Sequence, residues 1–430
     1  MRYLSLNDKN HMAGFKEAVV RGIAPDKGLY FPERIEPLPS SFFDQIENRS
    51  KDEIAFQAIQ QFVGEDISNN ALQNIIAATL DFEFPLVTIE EGIATLELFH
   101  GPTMAFKDVG ARFMANCLGH FSETSDEEVT VLVATSGDTG GAVANGFLGV
   151  EGAKVVILYP SGKVSDIQER QLTTLGQNIT AMEVSGTFDD CQRMVKDAFL
   201  DVDITKKRKL TSANSINVAR WLPQMFYYLF AYRDSKKREM DIVFSVPSGN
   251  FGNICAGMVA HRLGMPVKHF VAATNVNDVV PNYMKSAEYS PKPSIATISN
   301  AMDVGDPSNF IRIQNLFENS FEKLQRYLSS FSFTDEETKA AMFDVYGKTG
   351  YMMDPHGAVG YLGLKKYMEN NPGISGIFLE TAHPIKFLDV VKETLDVSLD
   401  IPPQIQRVID KEKIAIPIKK YAELKSFLMD

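Results

Sequence analysis

Val129-Thr130-Val131-Leu132-Val133-Ala134-Thr135 runs straight into Ser136-Gly137-Asp138-Thr139-Gly140-Gly141, and Ala142-Val143-Ala144 follows. An apolar, β-branched run of this length predicts a buried strand, and the small residues after the loop predict a helix. Between them, glycines and hydroxyls can turn several backbone N–H groups toward an anion. Taken alone, the loop reads equally well as an ordinary strand-to-helix turn capped by Asp138 or Thr139. The design recurs further along. Asp241 to Val246 predicts a second buried strand, Ser248-Gly249-Asn250-Phe251-Gly252-Asn253 a second loop, and Ile254 to Ala260 a second helix. Gly249 and Gly252 flank Asn250 and Phe251, a spacing that lets backbone amides wrap a phosphate at a positive helix end. No Gly-Lys-Ser/Thr closes this loop and it is not G-x-G-x-x-G, so a nucleotide or dinucleotide site is not indicated.

Working outward, Lys154 to Tyr159, Asn178 to Val184 and Val267 to Thr274 read as further strands. From about residue 95 onward strands alternate with helices, which predicts an α/β fold of parallel sheets with helices on both faces. Ligands in such sheets bind at the carboxyl ends of the strands, where these loops lie. Residues 1 to about 90 instead carry helical spacing, as in Glu53 to Ile59, broken by Pro32, Pro37 and Pro39. Tyr283 to Pro293 is polar and proline-rich and reads as a surface loop.

Two more segments carry candidate chemistry. In His100 to Arg112 a lysine, Lys107, stands just inside a helix start ahead of the apolar face Val109, Phe113 and Cys117. Burial near a positive helix end lowers an amine's pKa, as a Schiff base to an aldehyde cofactor requires. A solvated lysine is the commoner outcome for such a position. In Leu379-Glu380-Thr381-Ala382-His383-Pro384-Ile385-Lys386-Phe387, again after an apolar run, Thr381 can either cap a helix or bond a pyridine nitrogen without adding a formal charge. In Thr211 to Arg220, Asn214 or Ser215 can cap the next helix, or they can join Arg220 in holding a phosphate, which arginine matches bidentately. Lys163 reads as a solvated loop lysine, Asp108 as a first-turn acid, and His383 as either a structural histidine or a neighbour of the site.

The lysine segment, Ser-Gly-Asp-Thr-Gly, Ser-Gly-Asn-Phe-Gly and Glu-Thr-Ala-His-Pro occur together in this order. So does a start containing Phe15-Lys16-Glu17-Ala18-Val19 and Gly22-Ile23-Ala24-Pro25-Asp26-Lys27-Gly28-Leu29-Tyr30-Phe31-Pro32. The set resembles the threonine synthases, fold-type II pyridoxal-phosphate enzymes of the tryptophan synthase β-subunit superfamily, from end to end. The resemblance implies two parallel-sheet α/β domains with pyridoxal 5'-phosphate between them, plus a mainly helical N-terminal unit. By it, residues 1–90 are the helical unit, 91–117 with 205–430 the large cofactor-binding domain, and 118–204 the small domain. It implies that Lys107 forms the internal aldimine and moves protons. Gly249, Asn250, Phe251, Gly252 and Asn253 would hold the cofactor phosphate, and Thr381 the pyridine nitrogen. Ser136, Gly137, Asp138 and Thr139 would hold the substrate carboxylate, and Asn214, Ser215 and Arg220 its phosphate. The implied reaction takes O-phospho-L-homoserine and water to L-threonine and phosphate, in a monomer or homodimer. The alternative is a pyridoxal-phosphate dehydratase or phospho-lyase that releases a keto acid.

Composition fits this picture. The 430 residues, 44% hydrophobic, are enough for two or three domains with large cores. A net charge of −12 argues against nucleic acid or acidic membranes as partners, and makes local cations and N–H groups necessary for an anionic substrate. Three scattered cysteines without C-x-x-C fit a reducing compartment, and the seven histidines form no H-x-x-x-H pair, so no metal is expected. The opening lacks an apolar signal core and no apolar run reaches membrane-spanning length, so the expected location is the cytoplasm.

Overall fold

A computed structural model of the chain describes residues 1–123, 128–236 and 241–430. The apolar run before the Ser136 loop forms the strand Val129–Ala134, buried at every residue. It pairs in parallel with Ala153–Pro160 on one side and Lys209–Ser212 on the other. Ile179–Val184 and then Ile416–Ile418 extend the sheet, both in parallel, to five strands. In the second, six-stranded sheet, Ile242–Pro247 lies between His269–Thr274 and Ser375–Glu380, again in parallel. Leu328–Ser332 and Ile93–Glu97 follow on the two sides, and the edge strand Leu86–Glu90 is antiparallel. Continuous burial of the central strands is what helices on both faces impose. The predicted α/β architecture is therefore present.

The pairing departs from the sequence division in one respect. Lys209–Ser212 and Ile416–Ile418 belong to the five-stranded sheet, although the resemblance assigns 205–430 to the other domain. A three-residue strand containing Pro417, exposed at Ile416 and Pro417, has too little alternation to be recognised.

The first 80 residues are mainly helical, as expected. Lys51–Val63 begins with a capping box between Ser50 and Glu53, and Asn69–Thr79 is capped by Ser68. They are joined by a small antiparallel sheet of Tyr3–Ser5, Met12–Ala13 and Tyr30–Pro32, which the sequence reading lacks. Of the expected surface loop, Tyr283 to Ser286 instead completes the helix Val279–Ser286, because Val279, Val280 and Tyr283 share its buried side. No helix among the described residues is long and apolar enough to cross a membrane.

Candidate active site

Lys107 is the first residue of the helix Lys107–Ser122, whose Val109, Phe113 and Cys117 are buried as their spacing predicts. The segment before it is stitched to the residues after the strand Ser375–Glu380. Phe106 N donates to Thr381 O at 2.8 Å, His383 N donates to Met104 O at 3.1 Å, and Ala105 bridges Ala382. Tyr227 hydroxyl donates to Phe106 O. The lysine side chain is partly covered, with its amine 5.7 Å from the Phe106 ring centre. Loss of water contact, with Lys386 and Arg220 nearby, brings its pKa down to about 8 against the pull of Asp138. A tenth or so of the amine is then neutral at pH 7. Asp108 turns away from the amine. Its carboxylate accepts from Thr103 N at 2.9 Å and from the Thr103 hydroxyl, and burial raises its pKa.

The Ser136–Thr139 loop is shaped from within. Thr135 Oγ1 accepts from Gly137 N at 3.0 Å and Gly140 N at 2.8 Å, so those two amides are already occupied. Gly137 has φ 146°, and a Cβ there would stand 2.5 Å from Gln168 Oε1, so only glycine fits. Ser136 and Thr139 remain partly exposed, and the helix Asp138–Phe147 presents its unpaired first-turn N–H groups beside them. The Asp138 carboxylate is not free. Burial works against its charge, yet Lys386 at 2.7 Å, the nearby Lys107 and Gln168 Nε2 at 2.8 Å hold it well below the usual carboxylate range.

The second loop is rigid and neutral. Phe251, in the left-handed region at φ 59°, is the N-cap of the helix Gly252–Arg262. A Cβ on Gly249 would lie 2.8 Å from Ala301 O and from Met302 Cα, which shows how closely the chain is packed there. Asn250 donates to Ser215 Oγ at 2.8 Å and accepts from Ser308 N at 2.6 Å. Asn253 accepts from Tyr228 hydroxyl at 2.6 Å, while its buried Nδ2 has no partner among the described residues.

Asn214, Ser215 and Arg220 come to lie in two neighbourhoods. Ser215 Oγ also accepts from Asn309 Nδ2 at 3.1 Å and so supports the Asn250 loop. Arg220 is buried, donates to Lys107 O at 3.1 Å, and has an Nε without a partner among the described residues; burial lowers its pKa to about 10. Asn214 Oδ1 is likewise buried and unpartnered. Neither Asn214 nor Ser215 caps the next helix; Asn217 does, through Ala219 N. Thr381 is buried, and its hydroxyl makes no hydrogen bond to the described residues. Burial, with Asp354 close by, pushes the adjacent Glu380 carboxyl well up. His383 is structural here: its Nδ1 accepts from Ile385 N, its ring meets Phe99 edge-on, and burial lowers its pKa to about 4. Lys163 is exposed.

Two buried cations escaped the sequence reading. Lys386 Nζ contacts Asp138 and donates to Thr103 O at 2.8 Å. Arg312 donates to the carbonyls of Tyr30, Ser215 and Ile216 and stacks over Trp221 at 4.6 Å. The one signal for Arg312 is a cation set between apolar Ile311 and Ile313. Among the described residues no three His, Cys, Asp or Glu side chains converge as a metal site requires.

The donors present suit pyridoxal phosphate: a depressed amine for its aldehyde, first-turn amides and the orphaned Asn253 amide for its phosphate, and a free hydroxyl at Thr381. Comparison with known proteins agrees. The chain matches the family model for the threonine synthase N terminus over residues 2–80, that for pyridoxal-phosphate dependent enzymes over 90–374, and that for the threonine synthase C-terminal region over 357–428. It is 41% identical over 411 residues to threonine synthase of Escherichia coli (strain K12), covering 95% of each chain. The chain belongs to the threonine synthase family. The crystal structure of the Escherichia coli threonine synthase superposes with a TM-score of 0.93 at 40% identity, covering 100% of this chain and 99% of that one. The pyridoxal-phosphate-bound threonine synthase of Brucella melitensis gives 0.94 at 32% identity, with the same coverage. A threonine deaminase from Solanum lycopersicum, at 15% identity and TM-score 0.57, shares the fold alone.

Proposed function

We propose that this site converts O-phospho-L-homoserine and water to L-threonine and phosphate, with pyridoxal 5'-phosphate bound across the Gly249–Asn253 loop, Lys107 and Thr381. The observation that carries the reading is a lysine amine lowered to about 8 in a segment stitched to Thr381, with Asp138 and the buried cations Lys386 and Arg220 beside it. Bound there, the cofactor supplies an electron sink for the negative charge left when protons leave the substrate's α- and β-carbons. The neutral Lys107 amine would take those protons in turn; as phosphate leaves Cγ and water adds its hydroxyl at Cβ, one proton returns to Cγ and one to Cα, and the water's other proton leaves with the phosphate. Ser136, Thr139 and the free amides at Asp138 hold the substrate carboxylate and orient its Cα–H bond. Gly137 contributes shape, since its own N–H is spent on Thr135. Arg220, whose Nε has no partner among the described residues, and Asn214 face the leaving phosphate, while Ser215 braces Asn250 and so supports the cofactor loop. Thr381 would offer its buried hydroxyl to the ring nitrogen. Burial, with Asp354 close by, raises the neighbouring Glu380 carboxyl. Three buried, unpaired cysteines support work in a reducing compartment such as the cytoplasm.

Borohydride reduction of the holoenzyme followed by peptide mapping tests the reading. The cofactor should be fixed on Lys107; a label on another lysine would overturn the assignment. Arg220→Ala should cost kcat/KM roughly 30- to 1000-fold, about 2–4 kcal/mol, with the visible spectrum unchanged and threonine binding much less affected. Equal losses for both ligands would make Arg220 a structural residue.

A further inference from the structure

Lys386 lies at the meeting point of three segments. Its ammonium is 2.7 Å from Asp138 Oδ1, at the start of one helix, and 2.8 Å from Thr103 O, just ahead of Lys107. Lys386 itself sits in the turn Pro384–Phe387 and is only 1% exposed. Gln171 Nε2 donates to the same Thr103 carbonyl at 3.1 Å, and Gln168 to the same Asp138 oxygen. A buried ion pair recovers little more than the desolvation of its two partners, so stability is a poor reason for building one. Its position beside Lys107 gives a better one.

The groups acting on the Lys107 amine are few. Asp138 favours its charged form; Lys386 and Arg220 oppose it. Asp108, on the same helix, is turned to Thr103 and faces Lys386 and Arg112. From the helix Met225–Ser235, Tyr227 reaches only the Phe106 carbonyl. Phe106 presents a ring. Among the described residues Asp138 is therefore the one carboxylate that favours the charged form of the amine, against the burial that lowers its pKa.

We propose that Lys386 is a positioning residue of the site: it claims the Asp138 carboxylate, ties it to the Thr103 carbonyl, and so leaves the Lys107 amine free to act as nucleophile and base. The proposal rests on the assignment of Lys107 as the reacting lysine. It also gives the turn after Thr381 a task, because one side chain there binds the substrate loop to the lysine segment.

The test reads Lys107 itself, without turnover. The full-length chain, freed of cofactor, is labelled competitively with acetic anhydride across pH, and the Lys107 peptide is quantified by mass spectrometry. The parent should titrate with a midpoint of about 8. Lys386→Met should raise that midpoint by about one unit or more, roughly a tenfold loss of labelling at pH 7. Asp138→Asn should lower it, and the double variant should return to the parent value or below. Lys386→Arg, which keeps the charge, should stay close to the parent. A purely structural role would not be reversed by the second substitution. An unmoved midpoint in a folded Lys386→Met chain overturns the proposal; if that chain does not fold, an unmoved or raised midpoint in Asp138→Asn overturns it. Borohydride labelling of a different lysine in the holoenzyme would instead overturn the assignment of Lys107, so the two failures are distinguishable.

Discussion

The Ser136–Thr139 loop and the Gly249–Asn253 loop both follow a buried parallel strand and open a helix, yet they are held by opposite means. The second contains no ionisable side chain. Its shape comes from a left-handed Phe251 and from amide and hydroxyl bonds to Ser215, Ser308 and Tyr228. The first carries a fully buried carboxylate, Asp138, matched by Lys386 and Gln168. The difference follows from what each would hold. A cofactor phosphate stays through many turnovers, so donors frozen at folding serve it well. A substrate arrives and leaves, and its carboxylate must be received next to a lysine whose proton inventory changes. Charge that can be redistributed within an ion pair suits that second task.

The largest effect should come from breaking the charged arrangement. Asp138→Asn leaves the Lys386 ammonium buried without its carboxylate, a change that typically costs about 3–5 kcal/mol. Asn253→Ala removes one neutral contact, to Tyr228, and should cost about 1 kcal/mol. Urea unfolding of the two cofactor-free variants at pH 7 compares them directly. Equal losses would mean that the ion pair has no special weight and that the contrast between the loops is only chemical appearance.

Lys107 sharpens the contrast, because it is the cation near Asp138 whose amine has no hydrogen-bonded partner among the described residues. Its pKa falls from 10.5 in the unfolded chain to about 8 in the fold. Between those values the unfolded chain binds more protons, so stability rises with pH across the window, and below pH 8 the whole penalty applies. For a partly covered group this amounts to about 1–3 kcal/mol. Cofactor-free Lys107→Met should therefore resist urea better than the parent at pH 7, with the advantage shrinking toward pH 10.5. A difference that stays constant from pH 7 to 10.5 would show that Lys107 does not titrate as described.

Much of this was legible in the chain and some was not, for physical reasons. Strands buried on both faces write themselves as unbroken apolar runs, and loops of glycine and hydroxyl residues interrupt them visibly. Lys107 was legible because a lysine ahead of an apolar helical face is already a local oddity. The Asp138–Lys386 pair left no local trace, since each residue is unremarkable until the fold joins them. The cap at Val218 was ambiguous because Asn214, Ser215 and Asn217 all qualify. Asn217 takes it while its Nδ2 also reaches Val19 O at 2.9 Å, a contact made by tertiary packing alone. Arg312 belongs with Lys386: apart from Asn309, its partners are carbonyls from distant segments.

The smallest effect decides which loop Ser215 serves. Its oxygen accepts from Asn250 at 2.8 Å and from Asn309 at 3.1 Å, so Ser215→Ala deprives two amide groups of a shared acceptor and loosens the neutral loop. Some of the loss will be recovered through water, and a net effect of about 1 kcal/mol is expected, close to fivefold in cofactor affinity. Ser136→Ala, made in the charged loop, should leave cofactor affinity within a factor of two and raise the substrate KM instead. Titration of the cofactor-free variants with pyridoxal 5'-phosphate, beside their steady-state kinetics, separates the two responses. If Ser215→Ala behaves like Ser136→Ala, with an intact cofactor site and a raised KM for phosphohomoserine, then its hydroxyl proton serves the substrate phosphate after all. Ser215, Asn214 and Arg220 would then act as one clamp, and the boundary drawn here between the neutral and the charged loop would have to move to Asn250.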